Sequence, residues 1–523
     1  MTGTLFTRRD LRQIKERGMT PEGVISQIKT SEKGFPHAKL NRTCTVGDGI
    51  KVLSGNELER LKEIYTGAAL AGRAMKFVPA SGAASRMFKS LLSLNSRYET
   101  LEPEGLLGGS DTNDADLHDF REFIRNIKSF AFYEDLKSSL VGDDLEIKNL
   151  LETDHFKPIL EYVLTSKGLH LSGIPKGLIP FHRYPGHSRT PFEEHLVEAS
   201  TYASDANNVA RVHFTVSPEY ECDVKDHLKK VRSAYERTGT RFDIGVSIQE
   251  PSTDTLAVDL DNHPFRDGAG DLLFRPGGHG ALIENLDRLK GDVVFVKNID
   301  NIVSDRLRGE TTLYKKALGG YLVEIQNTLF HHLERLSSET ATGRELREIL
   351  EFAENRLSLI PPVDFARRTG KEKIRFLLSR LQRPLRVCGM VKNEGEPGGG
   401  PFWVEGTDKA LSLQIVESSQ VDMASGEQRD IWESSTHFNP VDLVCGLRDH
   451  RGRPFELLRF RDPDTGFISI KSVEGKELKA MELPGLWNGA MAHWNTIFVE
   501  VPIATFNPVK TVLDLLRKEH RQG

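Results

Sequence analysis

The chain has 523 residues, 38% of them apolar and 28% charged, with a formal net charge of -5 at pH 7. That length exceeds one ordinary core and predicts two or three domains, or one large domain with insertions, while the composition excludes a disordered chain. The negative balance offers nucleic acid no global attraction, no run nears the ~20 apolar residues of a membrane helix, and the charged start Thr7-Arg8-Arg9-Asp10 lacks a signal peptide's apolar segment. The expectation is a cytoplasmic protein with no nucleic-acid and no membrane partner. Residues 1–75 read as a helical N-terminal region. Thr20-Pro21-Glu22 sets an N-cap before a proline at the first helical position, and Ser54-x-x-Glu57 is a capping box ahead of Leu58, Leu61, Ile64 and Tyr65. Cys44, Cys222, Cys388 and Cys445 lie far apart without a CxxC spacing, which disfavours a zinc site or a disulfide scaffold.

A core over 76–382 follows. The apolar run Met75-Lys76-Phe77-Val78 enters a turn of small residues, Pro79-Ala80-Ser81-Gly82-Ala83-Ala84-Ser85-Arg86, and then an amphipathic segment. This order lays backbone N–H groups against phosphate, with Arg86 as a rigid cationic fork, or else serves close strand–helix packing. It matches neither GxGxxG nor GxxxxGK[ST]. Residues about 90–173 read as a large helical insertion containing the polar linker Gly108-Gly109-Ser110-Asp111. A second strand–turn–helix runs from Gly177-Leu178-Ile179-Pro180-Phe181 to Thr190-Pro191-Phe192-Glu193, with further strands expected over 209–216, 242–248 and 293–296. Residues 307–381 are mostly helical, and 383–523, the sugar-side and C-terminal part, carries β-like runs over 385–391, 441–447, 467–472 and 496–501. Alternating strands and helices predict an α/β fold with a mixed, mainly parallel sheet.

Two later turns carry chemistry. Phe274-Arg275-Pro276-Gly277-Gly278-His279-Gly280 is either an ordinary glycine turn or one whose glycines admit a flat base or a sugar. The strand Val293-Val294-Phe295-Val296 ends in Lys297-Asn298-Ile299-Asp300-Asn301. A carboxylate past the C-terminal end of an apolar strand suits Mg²⁺ shared with phosphates, or caps the helix that follows; its spacing from the glycine turn favours the metal. Gln249 closes the run Ser247-Ile248-Gln249, where its amide offers a donor and an acceptor to a uracil edge or satisfies a neighbouring backbone group.

These elements stand in the order found in the UDP-sugar pyrophosphorylases, the UTP-dependent sugar-1-phosphate uridylyltransferases, which the chain resembles. The set is completed by Pro175-Lys176, by Phe438-Asn439-Pro440-Val441-Asp442-Leu443 and by Phe506-Asn507-Pro508-Val509-Lys510-Thr511, so the resemblance spans most of the chain. Ser81 and Ala84 stand where the family's loop has glycines, and the run from Phe77 to Phe88 resembles a bacterial branch known as a domain of unknown function. The resemblance implies a GT-A-like, Rossmann-like nucleotidyltransferase core that forms a nucleotide sugar and pyrophosphate from a nucleoside triphosphate, UTP favoured, and a sugar 1-phosphate, with Mg²⁺. It assigns Arg86, Lys176 and Lys510 to the phosphates and catalysis, Asp300 to the metal, and Gly82, Ser85, Gln249 and Gly278 to the nucleotide. His279, Gly280, Asn298 and Asn439 fall to the sugar. A GT-A glycosyltransferase or a non-catalytic nucleotide-sugar sensor are the alternatives.

Overall fold

A computed structural model describes residues 5–82, 84–97, 114–237, 239–338, 341–395, 398–406, 409–473 and 475–521. The expected linker Gly108-Gly109-Ser110-Asp111 and Ala83 of the small-residue turn lie outside them. The chain forms two compact units, neither continuous in sequence. The first comprises Met1–Phe77, Ile248–Val296 and Tyr314–Ile503, and the second Val78–Ser247, Lys297–Leu313 and Ala504–Gly523.

The first unit is built on a sheet in the order Thr45–Val46, Gly49–Lys51, Asn495–Glu500, Leu385–Lys392, Asp442–Gly446, Val293–Lys297 and Ala74–Pro79. Val293–Lys297 runs parallel to Ala74–Pro79, and Leu385–Lys392 parallel to Asn495–Glu500, whereas Asp442–Gly446 is antiparallel to Leu385–Lys392. Every residue of Val293–Lys297 is buried, as a central parallel strand covered on both faces requires, which explains its unbroken apolar run. The fold is therefore mixed α/β with a mainly parallel central sheet. Against it lies a core that includes Phe77, Leu286, Val294, Cys388, Cys445, Trp494 and Phe498. Both N-terminal signals are realised: Thr20 caps Pro21–Lys33, and the Ser54–Glu57 capping box opens Gly55–Leu70. Leu40–Thr43, Gly400–Glu405 and Leu411–Val416 form a separate three-stranded sheet, and Phe467–Val473 forms a two-stranded sheet with Lys476–Glu482.

In the second unit, Val209–Val216 and Arg241–Ile248 are neighbouring strands. The expected insertion is helical, with Ala115–Arg125, Tyr133–Val141, Ile147–Glu152 and Phe156–Leu164 burying Phe120, Phe123, Phe156 and Ile159. The same core takes in Val509, Val512 and Leu515 near the C-terminus. Residues 177–181 are not the expected strand. Lys176–Leu178 is a 3-10 turn, followed by the hairpin His182–Tyr184 with His187–Arg189. The turn is forced by packing, since a Cβ on Gly177 would lie 2.5 Å from the Phe192 ring. The helix after it, Pro191–Tyr202, opens on a Thr190–Glu193 capping box. Among the described residues no helix is long and apolar enough to cross a membrane.

Candidate active site

The second unit gathers most of the expected phosphate-handling residues. Where the two parallel strands end, the Ala80 amide donates to Thr215 O at 2.8 Å and the Ile299 amide to Pro79 O at 3.2 Å, so both outgoing loops start from fixed points. The small-residue turn is then held by backbone: Lys176 N donates to Gly82 O and Ala84 N to Ile174 O, each at 3.3 Å, while Ser217 Oγ donates to Ser81 O at 2.8 Å. Gly82 is exposed, and a Cβ built on it meets nothing within 4 Å. Ser85 and Arg86 are exposed on the short turn Ala84–Arg86.

Asp300 is the centre of this arrangement. Its Oδ2 accepts from Lys176 Nζ at 3.1 Å and lies 3.6 Å from Lys510 Nζ. Lys176 Nζ also donates to Val509 O at 2.7 Å. The Lys176 and Asp300 side chains are each 12% exposed and that of Lys510 52%, so one lysine is a fixture and the other reaches outward. The loops that carry them are stitched together: Val509 N donates to Asp300 O at 3.2 Å and Asn507 N to Asn301 Oδ1 at 2.9 Å. Asp514 Oδ2 accepts from Lys510 N and Thr511 N, both at 2.7 Å. Asp300 does not cap the following helix. That helix begins only at Arg308, and the carboxylate is spent on lysines instead. Asn298 is half-buried in the same loop, its carbonyl accepting from Asn301 N at 3.2 Å.

The remaining expected residues belong to the first unit, where the glycine turn is packed closely against the chain's own residues. A Cβ on Gly277 would lie 2.4 Å from Thr253 O, on Gly278 2.6 Å from Glu482 Oε2, and on Gly280 2.2 Å from Pro484 O. The room the glycines leave is taken by the chain's own residues, and Gly278 needs its left-handed φ of 75° besides. His279 stacks face to face on Trp487, with ring centroids 4.0 Å apart, and its Nδ1 accepts from Leu486 N at 3.0 Å. Burial pushes its imidazole pKa down. Asn439 is committed to the backbone: Nδ2 donates to Gly389 O and Oδ1 accepts from Val441 N, both at 3.0 Å, which holds Val441 at a left-handed φ of 53°. Gln249 carries a buried Nε2 with no hydrogen-bond partner among the described residues.

Sequence reasoning missed the Val509 carbonyl, the Trp487 ring and a buried polar chain in the second unit. In that chain Glu194 Oε1 meets His182 Nδ1, and His182 Nε2 meets His520 Nδ1, each at 2.9 Å. Tyr184 donates to the same carboxylate at 2.7 Å. Burial alone would raise the Glu194 pKa, yet these donors hold it below the ordinary value. No local spacing reveals a pair 338 residues apart.

The structure is similar to that of the UDP-N-acetylglucosamine pyrophosphorylase from Trypanosoma brucei, solved in complex with an inhibitor, at 11% identity, covering 94% of this chain and 74% of that one with a TM-score of 0.48. It is also similar to the UDP-glucose pyrophosphorylase from Leishmania major, known in open and closed structures, at 12% identity, covering 97% and 78% with a TM-score of 0.44. No curated protein matches the sequence. A family model does, over residues 7–521, and its description is domain of unknown function, DUF4301. The chain belongs to that family.

Proposed function

We propose that the chain is a sugar-1-phosphate nucleotidyltransferase, in which a phosphate oxygen of a sugar 1-phosphate attacks the α-phosphorus of a nucleoside triphosphate and expels pyrophosphate. The observation that carries this reading is the Lys176–Asp300–Lys510 cluster beside the open Gly82 turn. Both substrates are anions, so the reaction demands neutralised charge and alignment more than a protein nucleophile. Lys176, fixed by Val509 O and Asp300, supplies a positioned ammonium group, and Lys510 a second that can follow the transferring phosphate. Arg86, exposed and without an ion pair among the described residues, offers a planar fork to the outer phosphates.

Asp300 also suits a hard cation. Its Oδ1 has no partner among the described residues, and a lone carboxylate fits Mg²⁺, which takes one or two carboxylates and completes its shell with phosphate oxygens and water. Bound there with the nucleotide, Mg²⁺ would neutralise phosphate charge. In the first unit Gln249, whose buried Nε2 has no partner among the described residues, is the group we assign to a uracil edge, which makes UTP the favoured triphosphate.

A panel of UTP, CTP, ATP and GTP against sugar 1-phosphates with Mg²⁺, read by pyrophosphate release, tests the reading. Release with UTP and one of the sugars is expected. Nucleotide-sugar binding with no release under any pairing would replace catalysis by sensing, and sugar transfer from a nucleotide sugar would replace it by a glycosyltransferase.

A further inference from the structure

The first unit buries a positive charge without a counter-charge among the described residues. Arg386, on the strand Leu385–Lys392, is wholly inaccessible to solvent. Its Nε donates to Thr496 Oγ1 at 2.9 Å and its Nη1 to Trp487 O at 2.5 Å, both neutral acceptors. Its Nη2 is buried with no hydrogen-bond partner, and no carboxylate pairs with it among the described residues. A guanidinium stays protonated even where burial lowers its pKa, as burial does here, so the charge persists.

The neighbours do not cancel it. Cys445 stands directly across the antiparallel ladder from Arg386, and Cys388 lies two residues along the same strand, hence on the same face. Burial pushes the Cys388 thiol up to about 11 and the Cys445 thiol higher still, so both are neutral at physiological pH. Around them the core is apolar, with Leu486, Met491, Trp494 and Phe498. One further donor lacks an acceptor among the described residues: Trp494 Nε1 is buried and unpartnered, and Trp494 O accepts from the Thr496 hydroxyl that also meets Arg386. Buried charges in proteins are paired, and a buried N–H without an acceptor is rare.

We propose that Arg386 anchors a buried site for a halide-sized monovalent anion, bound by its Nη2. A monatomic anion asks nothing further of apolar neighbours, where a phosphate or carboxylate would bring oxygens that they cannot satisfy. The site bears on the surface above it. Arg386 Nη1 holds the Trp487 carbonyl, and the Trp487 ring stacks on His279, so an anion that fixes the guanidinium also fixes that stack. Nothing in this depends on the nucleotidyltransferase reading.

Crystals of the full chain grown or soaked in bromide, measured at the bromine edge, test the site directly. An anomalous peak at hydrogen-bond distance from Arg386 Nη2 is expected. In solution, bromide or chloride in place of gluconate at constant ionic strength raises the melting temperature by about 2 °C or more for an anion held well above its Kd. Arg386→Met, which replaces the charge by an apolar chain of similar reach, loses that rise, while the exposed control Arg459→Met keeps it. A water or no density at Nη2, or an equal halide response in Arg386→Met, overturns the proposal. Should Arg386→Met fail to fold, the bromide map of the unaltered protein decides alone.

Discussion

Asp300 and its two lysines make separable predictions because their burial differs. Asp300→Asn keeps an oxygen for Lys176 Nζ but removes the negative charge that suits the cation. Turnover should fall by at least about a hundredfold, and leaving the largely buried Lys176 without its counter-charge should cost about 1–3 kcal/mol of stability. Steady-state kinetics beside a thermal scan checks this, and a near-normal rate would take Asp300 out of the site. Lys510 is half exposed and its 3.6 Å pairing is weak, so Lys510→Ala should lower kcat and leave stability within about 0.5 kcal/mol. Asn439 and Gln249 are opposite cases. Asn439→Ala strips the side-chain amide that holds Val441 left-handed and should destabilise by about 1–3 kcal/mol, measured by denaturant unfolding. Gln249→Ala removes an amide that is already unsatisfied, so stability should hold or rise while the preference for UTP over purine triphosphates shrinks. Calorimetric titration with UTP and ATP reads that change. An undiminished preference in Gln249→Ala would return Gln249 to the scaffold.

Two glycine turns that look alike in sequence differ as elements. Gly82 faces open space, so Gly82→Ala should fold normally and weaken triphosphate binding wherever backbone meets ligand. A Cβ on Gly280 would lie 2.2 Å from Pro484 O and 2.9 Å from Leu483 O, both main-chain atoms, so Gly280→Ala should destabilise by about 1–3 kcal/mol or more. Melting temperatures of the two variants compare them directly; equal values would mean that the 483–484 backbone gives way. The difference marks what sequence can disclose. Strands such as Val209–Val216 and Val293–Lys297 were readable because burial on both faces, or alternate burial, writes itself into a local run. The capping box at Ser54 is readable for the same reason, since its hydrogen bonds close within three residues. The 177–181 run misled because its apolar residues serve a turn under Phe192. Equally, nothing local announces that Pro484 fills the space beside Gly280, or that Leu385–Lys392 pairs with a strand about a hundred residues later. Motif order singles out Lys176, Asp300 and Lys510, which the fold brings together, but only long-range folding supplies the Val509 carbonyl that steadies Lys176.

At the scale of the molecule, buried histidines set how the protein answers acid. His520 is held by burial, with His182 and Arg517 nearby, at a pKa of about 3, and burial lowers His213, beside Ser247, to about 4. Both folded values lie below the ordinary value of 6.5, so below that pH the unfolded chain binds more protons than the folded one. The stability these groups confer is therefore complete above pH 6.5. It declines as pH falls, until about pH 4 for His213 and about pH 3 for His520. Each contributes a slope of about 1.4 kcal/mol per pH unit inside its window. Carboxylates add a second limb at lower pH. Asp10, drawn down to about 2 chiefly by its hydrogen bond to Arg266, and Glu57, at about 2 in its capping box, lose their contribution only below pH 4 or so. Acid destabilisation should thus begin near pH 6.5, before any of these carboxylates titrates. His520→Gln keeps a polar partner for His182 and cannot titrate, so between pH 6 and 4 it should unfold with about one proton fewer taken up. Denaturant unfolding of both proteins at intervals from pH 7 to 4 measures the two slopes. Parallel slopes would show that His520 is already protonated in the folded chain, and with it that the Glu194–His182–His520 chain is charged rather than neutral at its C-terminal end.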